Sequence, residues 1–342
     1  MPRLAFFSSL LTATLLAATS VPAQSPAPAA AEEPASKPKA DYGYPAAWTP
    51  FQLGVLERYQ LFSRDTPVRG LRLGLLTAHN DDVSGASLSL VSNYAVEQRG
   101  VEAALVNTAT SSRGIVVGGV NVTVAPQDES APSGFGGIGL AALVNSHSGD
   151  AAGIQAAGLA NHTSGAMSGL QAAAVSCYAG EGASALQLAA IANTSTGPLR
   201  GGQLSAIYNY AQNEAVGFQM AGIVNLLEAT PPSWQVDAGS GETRLVPAAS
   251  PAGRTRAVRV AGACNITDVP ASIDTISVAL GCNLTRGDHL GAQLAAFNKA
   301  RRTSGLQVGL LNDSEELRGV QIGLFNFRDG RMRWPLVNIG LD

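Results

Sequence analysis

Aromatic residues are scarce, at 6% of 342 residues, while the chain holds 38 glycines and abundant alanine. Large side chains normally fill a globular core, so their shortage points instead to narrow coils that only small residues can fill. Charge is scarce as well. Charged residues make up 14% of the chain and the formal net charge is −3, which gives no reason to expect nucleic-acid binding, since that usually demands a basic face. His79, His147, His162 and His289 are scattered, with no His-Glu-x-x-His pair and no Cys-x-x-Cys, so no metal site is expected. No Gly-x-Ser-x-Gly elbow occurs either. The stretch Gly134-Phe135-Gly136-Gly137-Ile138-Gly139 has dinucleotide-binding spacing, but it leads into another short strand rather than a helix. No catalytic or cofactor-binding residue is assigned, and a cofactor-free, non-enzymatic protein is expected.

What the chain does contain is a repeat. Gln155, Gln171, Gln187, Gln203 and Gln219 lie sixteen residues apart, each followed six residues later by Asn161, Cys177, Asn193, Asn209 or Asn225. The Gln column extends upstream through Gly139, Val116, Glu102, Ser87 and Arg72, and downstream through Arg259, Ser277, Gln293, Gln307 and Gln321. In the last two units the period is fourteen and Gln leads Asn312 or Asn326 by five, so one residue has been lost, as a bulge would accommodate. A fixed short period means one supersecondary unit stacked on copies of itself. The expected fold is all-β, a single elongated β-solenoid of about fifteen coils of 14–16 residues, about 70 Å long at one coil per 4.8 Å. Stacked amides can donate and accept up such a column, which makes Gln and Asn a structural ladder rather than a binding surface. Within Val320 to Asn326 the alternation sets Val320, Ile322 and Leu324 against Gln321, Gly323 and Phe325, and the aliphatic set is expected to face the core. Connections such as 313–318 read as polar turns.

The remaining organisation follows from composition. Arg3, the apolar stretch from Leu4 to Ala18 and Val21-Pro22-Ala23 fit a secretory signal peptide over residues 1–23. No Cys follows that stretch, so a lipid-anchored N-terminus is not expected, and no other apolar segment reaches the 18 residues or so of a transmembrane helix. Residues 24–46 are a Pro- and Ala-rich disordered linker, 47–69 an N-terminal cap rich in large apolar side chains, and 70–342 the repeat domain. That domain is interrupted at 124–135 and by an inserted loop at 226–257, whose Trp234 is a candidate partner contact. Cys264 and Cys282 occupy the same column, so stacking would bring them within disulfide distance. Cys177, in the Asn column, reads as a buried free thiol.

Three functional classes remain. A smooth repeat wall suits a structural or binding role, with an envelope protein or glycan as partner and an oligomeric state left open. A polysaccharide-active β-helix enzyme would need carboxylates that converge, whereas Asp81-Asp82 and Glu315-Glu316 are adjacent pairs that diverge into solvent. A closed β-barrel in an outer membrane would need longer strands and aromatic girdles.

The units Gly305 to Asn312 and Gly319 to Asn326 carry a further likeness, together with Pro50-Phe51-Gln52-Leu53-Gly54, Tyr59-Gln60-Leu61-Phe62, Gly70-Leu71-Arg72-Leu73 and Trp334-Pro335-Leu336-Val337-Asn338. Over about residues 50–340 the chain resembles a bacterial family of surface repeat-containing proteins best known from leptospires. The resemblance implies an exported cell-surface or envelope protein without an assigned biochemical activity, and it brings no catalytic residues.

Overall fold

The computed structural model describes residues 46–126, 133–229, 233–236, 243–246, 255–270 and 272–341. The signal-peptide and linker readings therefore fall outside the described residues, apart from the last position of the linker. No described residue is helical, and strands make up most of what is described.

Each coil has two strands and two corners. In one middle coil Met167–Ala173 forms the first strand, residues 174–175 the corner, Ser176–Ala179 the second strand and residues 180–182 the return turn. Successive coils pair in parallel with identical residues in register: Gln155 on Gln171, Gln171 on Gln187, Gln187 on Gln203, and Asn209 on Asn225. This is a β-solenoid. A barrel of the up-and-down kind would need antiparallel neighbours, and among the described residues these occur only at the two ends of the stack and in the hairpin of the inserted loop.

The column has one member more than the repeat pattern suggests. Gln52, in the strand Thr49–Leu56, pairs in parallel register with Arg72, so segment 47–69 contributes a coil and the column has sixteen members. It also ends the stack. Tyr59–Gln60 folds back antiparallel on the first strand, and the Gln52 amide donates to the Phe62 carbonyl at 2.7 Å and accepts from its N–H at 2.9 Å. At the other end Leu336–Leu341 runs antiparallel to 318–323, and Asn338 Nδ2 donates to Gln321 Oε1 at 2.7 Å. Both ends of the ladder and of the exposed edge are thereby covered.

Three expectations are corrected here. The polar stretch 313–318 is no loop: it lies inside the strand Leu311–Gly323, paired residue for residue with the preceding coil. The residue missing from the short units is lost at the corner, because the strands on either side keep register. The inserted loop is narrower than 226–257, since coil strands persist to Glu228 and resume at Thr255. Between them Ser233–Val236 and Thr243–Val246 form an antiparallel hairpin that pairs Trp234 with Leu245; the Trp234 side chain lies outside what is described.

The largest correction concerns which face is inside. Gln321 is fully buried, whereas Ile322 and Leu324 are 43% and 51% exposed and Val320 is half-buried. In every coil the Gln-column residue is buried, and its aliphatic neighbours are exposed or half-buried. Burying a primary amide is costly only when its bonds are unmet. Here the stacked amides bond one another from coil to coil, so the polar side can be the inner one.

Candidate functional site

The interior is built from four columns. Two are amides, and two are mostly small or apolar, running through Ala151, Met167, Ala183 and Leu199 and through Thr163, Ala179, Ser195 and Ala211. Up the Gln column each side chain donates toward the N-terminus: Gln171 to Gln155 at 3.1 Å, Gln187 to Gln171 at 2.9 Å, then Gln203 to Gln187 and Gln219 to Gln203 at 2.8 Å. It resumes with Gln307 to Gln293 at 2.8 Å and Gln321 to Gln307 at 2.9 Å. The Asn column donates the other way: Asn145 to Asn161 at 2.9 Å, Asn193 to Asn209 and Asn209 to Asn225 at 3.0 Å, and Asn312 to Asn326 at 2.9 Å. The two ladders thus have opposed dipoles. Asn residues along most of the column also donate to a main-chain carbonyl of the following coil, as Asn161 does to Ala172 and Asn193 to Leu204, both at 2.7 Å, which satisfies backbone next to the corner. These residues hold the fold and are unavailable to a ligand.

A further column, of glycines, carries no side chain and is not among the expectations from sequence, although Gly-x-Gln spells it out. Gly153 and Gly169, two residues before Gln, adopt φ of +118° and +114°, and a Cβ on Gly169 would stand 2.2 Å from the Gly153 carbonyl oxygen. Ala185 occupies the same column without strain because its coil stays regularly pleated and its methyl turns inward.

Where the amide column is replaced, Ser87, Val116, Gly139 and Ser277 are neutral, and the other three substitutes are buried ions. Arg259 donates to Gln219 Oε1 at 3.0 Å, to the Asn225 and Ile266 carbonyls and to Thr267, and burial lowers its pKa to about 9. Arg72 donates to Ser87 Oγ at 2.7 Å and to the Tyr94 carbonyl at 2.8 Å, with Glu102 3.9 Å away. Burial raises Glu102 to about 7 against the pull of Arg72. His147 and His289 are buried neutral, their pKa values lowered by desolvation to about 3 and about 4. Cys177 is a free buried thiol pushed up to about 12, with no nucleophilic character at neutral pH. Cys264 and Cys282 are joined by a disulfide across adjacent coils, Cα to Cα 4.6 Å.

Carboxylates on the outside are held by cations of neighbouring positions. Asp268 meets Arg286 at 3.0 Å, Asp313 meets Lys299 at 3.1 Å, Glu316 meets Arg302, and Asp288 meets Arg301 and Arg302. Asp81 lies 3.7 Å from His79. Among the described residues no three His, Cys, Asp or Glu side chains gather as a metal-binding group. No described helix is long and apolar enough to cross a membrane.

All these charges keep to one side. From the residue before the Gln column to the fourth after it, across sixteen coils, the only charged residues are Arg72, Glu102 and Arg259, and all three point inward. The outer surface of that stretch is instead Phe51, Leu71, Val101, Ile115 and Ile154 before the column and Leu88, Val117, Leu140, Met220 and Ile322 after it. The coil is therefore amphipathic in cross-section. The uncharged face also has relief. At the third position after the column the first four coils carry Val55, Leu75, Leu90 and Leu105, exposed by up to 63%. The next eight carry Gly119, Ala142, Gly158, Ala174, Ala190, Ala206, Gly222 and Gly262, and Leu280 then stands 81% exposed. The run of small residues opens a groove of 1130 Å³ from Val117 to Val260, with Ser205 its only polar side chain.

Comparison of the chain with family models, with curated proteins and with solved structures finds no match.

Proposed function

We propose that this chain is an exported repeat scaffold of the bacterial cell envelope that docks on another envelope component through its uncharged face. One observation carries the reading. Sixteen coils present an outer surface without a single charge on one side, while ion pairs line the other. At about 16 Å wide and 75 Å long, that face is near 1,200 Å², well above the few hundred Å² usual for a soluble monomer's largest apolar patch. Water does not sustain such a surface without a use for it. The internal role of the amides and the cation-bound state of several outer carboxylates favour a scaffold over a polysaccharide-cleaving enzyme. An apolar face, poor in aromatic rings, suits a protein surface better than a glycan, which is recognised by stacking and hydrogen bonds.

The test is expression of the full chain in a Gram-negative host, followed by mass spectrometry of the mature N-terminus and fractionation of the envelope. Cleavage after Ala23 and recovery in an envelope fraction, lost in a Leu280→Glu/Ile322→Glu variant that still folds, is the expected result. An uncleaved chain in the cytoplasm would end the proposal.

A further inference from the structure

Resting on that reading, we propose that the occupant of the apolar groove is a second copy of this chain, with the N-terminal leucine ridge of each copy seated in the groove of the other. The relief of the face is self-complementary. A ridge of four coils, Val55, Leu75, Leu90 and Leu105, is continued at the same position by Gly119, Ala142, Gly158 and Ala174; Ala142 lines the groove, and the other three sit at the corners beside its lining residues Gly118, Ala157 and Ala173. Turned antiparallel about a two-fold axis, Leu105 of one copy meets Gly119 of the other, Leu90 meets Ala142, Leu75 meets Gly158 and Val55 meets Ala174. Each of the four ridge side chains then faces a small one, and the same four contacts repeat by symmetry, which closes the pair.

Pitch selects this partner. The teeth of the ridge repeat once per coil, about every 4.8 Å, and a second copy has sockets at that same spacing. A hydrocarbon chain has no such period. An extended peptide fits worse, because coil backbone is paired with the coils above and below and would leave the peptide's own N–H and C=O groups unmet against alanine and glycine. A second copy brings only side chains to the contact, since its backbone is likewise paired.

The area is sufficient. Eight coils at about 4.8 Å and a width of about 16 Å give roughly 600 Å² on each copy, about 1,200 Å² in all, the lower bound of specific interfaces. The C-terminal ridge is the weaker candidate, because Ala296 interrupts Leu280, Leu310 and Leu324.

Sedimentation velocity of the full chain from 1 to 100 μM tests the pairing. The expected result is a concentration-dependent dimer, weakened at least about 100-fold by Leu90→Glu and by Ala142→Glu and unchanged by Ser168→Glu on the charged side. Leu90 and Ala142 are exposed, so the coils should survive, and circular dichroism checks that they do. Should either variant fail to fold, the Leu90→Cys/Ala142→Cys double variant replaces it and is expected to crosslink between copies under mild oxidation, with neither single variant yielding that product. A monomer at 100 μM, or a dimer indifferent to both glutamates, overturns the proposal. If that monomer is still recovered in the envelope fraction, and Leu280→Glu/Ile322→Glu releases it, self-pairing fails while docking stands; if it is not recovered there, both fail.

Discussion

Coils 151–228 and coils 68–123 share one stacking geometry but fill their Gln columns by different means. In the middle coils five consecutive glutamines pass one hydrogen bond from each to the next, all neutral. In the N-terminal coils Arg72, Ser87 and Glu102 replace them, and the accounting no longer closes. Arg72 Nη2, Glu102 Oε1 and both amide atoms of buried Gln98 find no partner. An amide that both donates and accepts can be repeated indefinitely at 4.8 Å. An ion cannot, because it only donates or only accepts and must also be stripped of water.

The middle stretch is therefore where breaking one rung should cost most. Gln187→Leu leaves Gln171 Oε1 without its donor and takes from Gln203 one of two acceptors, the Tyr210 carbonyl remaining. We expect a loss of about 2–4 kcal/mol in urea unfolding; a loss below about 0.5 kcal/mol would show that the ladder is ornamental. The same stretch contains one flaw that can be repaired. Cys177 interrupts the Asn column, donating to the Leu188 carbonyl and leaving Asn193 Oδ1 unpartnered. Cys177→Asn should restore the donor and stabilise the protein by about 1–2 kcal/mol, read as a raised urea midpoint at constant m-value. A lowered midpoint would mean that the site has adapted to sulfur.

The N-terminal stretch should differ in its response to pH. Burial holds Glu102 at about 7 against 4.5 for the free side chain, so the folded chain keeps a proton that the unfolded chain gives up. Between those values stability falls as pH rises. Replacing it by Gln removes that penalty and extends the amide column toward Arg72. The stability of Glu102→Gln relative to the parent should therefore increase by about 1 kcal/mol from pH 6 to pH 8. The buried histidines work in the opposite sense, each costing stability as pH drops below 6.5, but both remain in the variant and cancel from the difference. A gap that does not change with pH would mean that Glu102 is already ionised in the folded state.

Much of the architecture could be read from spacing alone, and the misreadings have particular causes. Cys264 and Cys282 could be placed together because a shared column means a shared edge. The glycine column was equally plain in Gly153-Ile154-Gln155 and Gly169-Leu170-Gln171, yet its reason, a carbonyl of the adjacent coil at 2.2 Å or less from a would-be Cβ, exists only once coils are stacked. Asp313 and Glu316 made the second strand look like loop, because they face solvent from a strand whose ion pairs, to Lys299 and Arg302, bridge successive coils. The uncharged corridor through all sixteen coils was present in the residues but invisible until they were set in register.

The sequence by itself determined the period, the column to which each residue belongs, and hence the solenoid. Tertiary structure alone decided which side of each strand is the inside. Alternation with a period of two distinguishes two faces without saying which is buried. The usual rule, aliphatic in and amide out, holds when an amide's best partner is water. Here its best partner is the identical amide one coil away, and the choice of that partner lies between residues fourteen to sixteen positions apart. That choice also turned the leucines outward, which makes the ridge and the groove properties of the stack rather than of any one repeat.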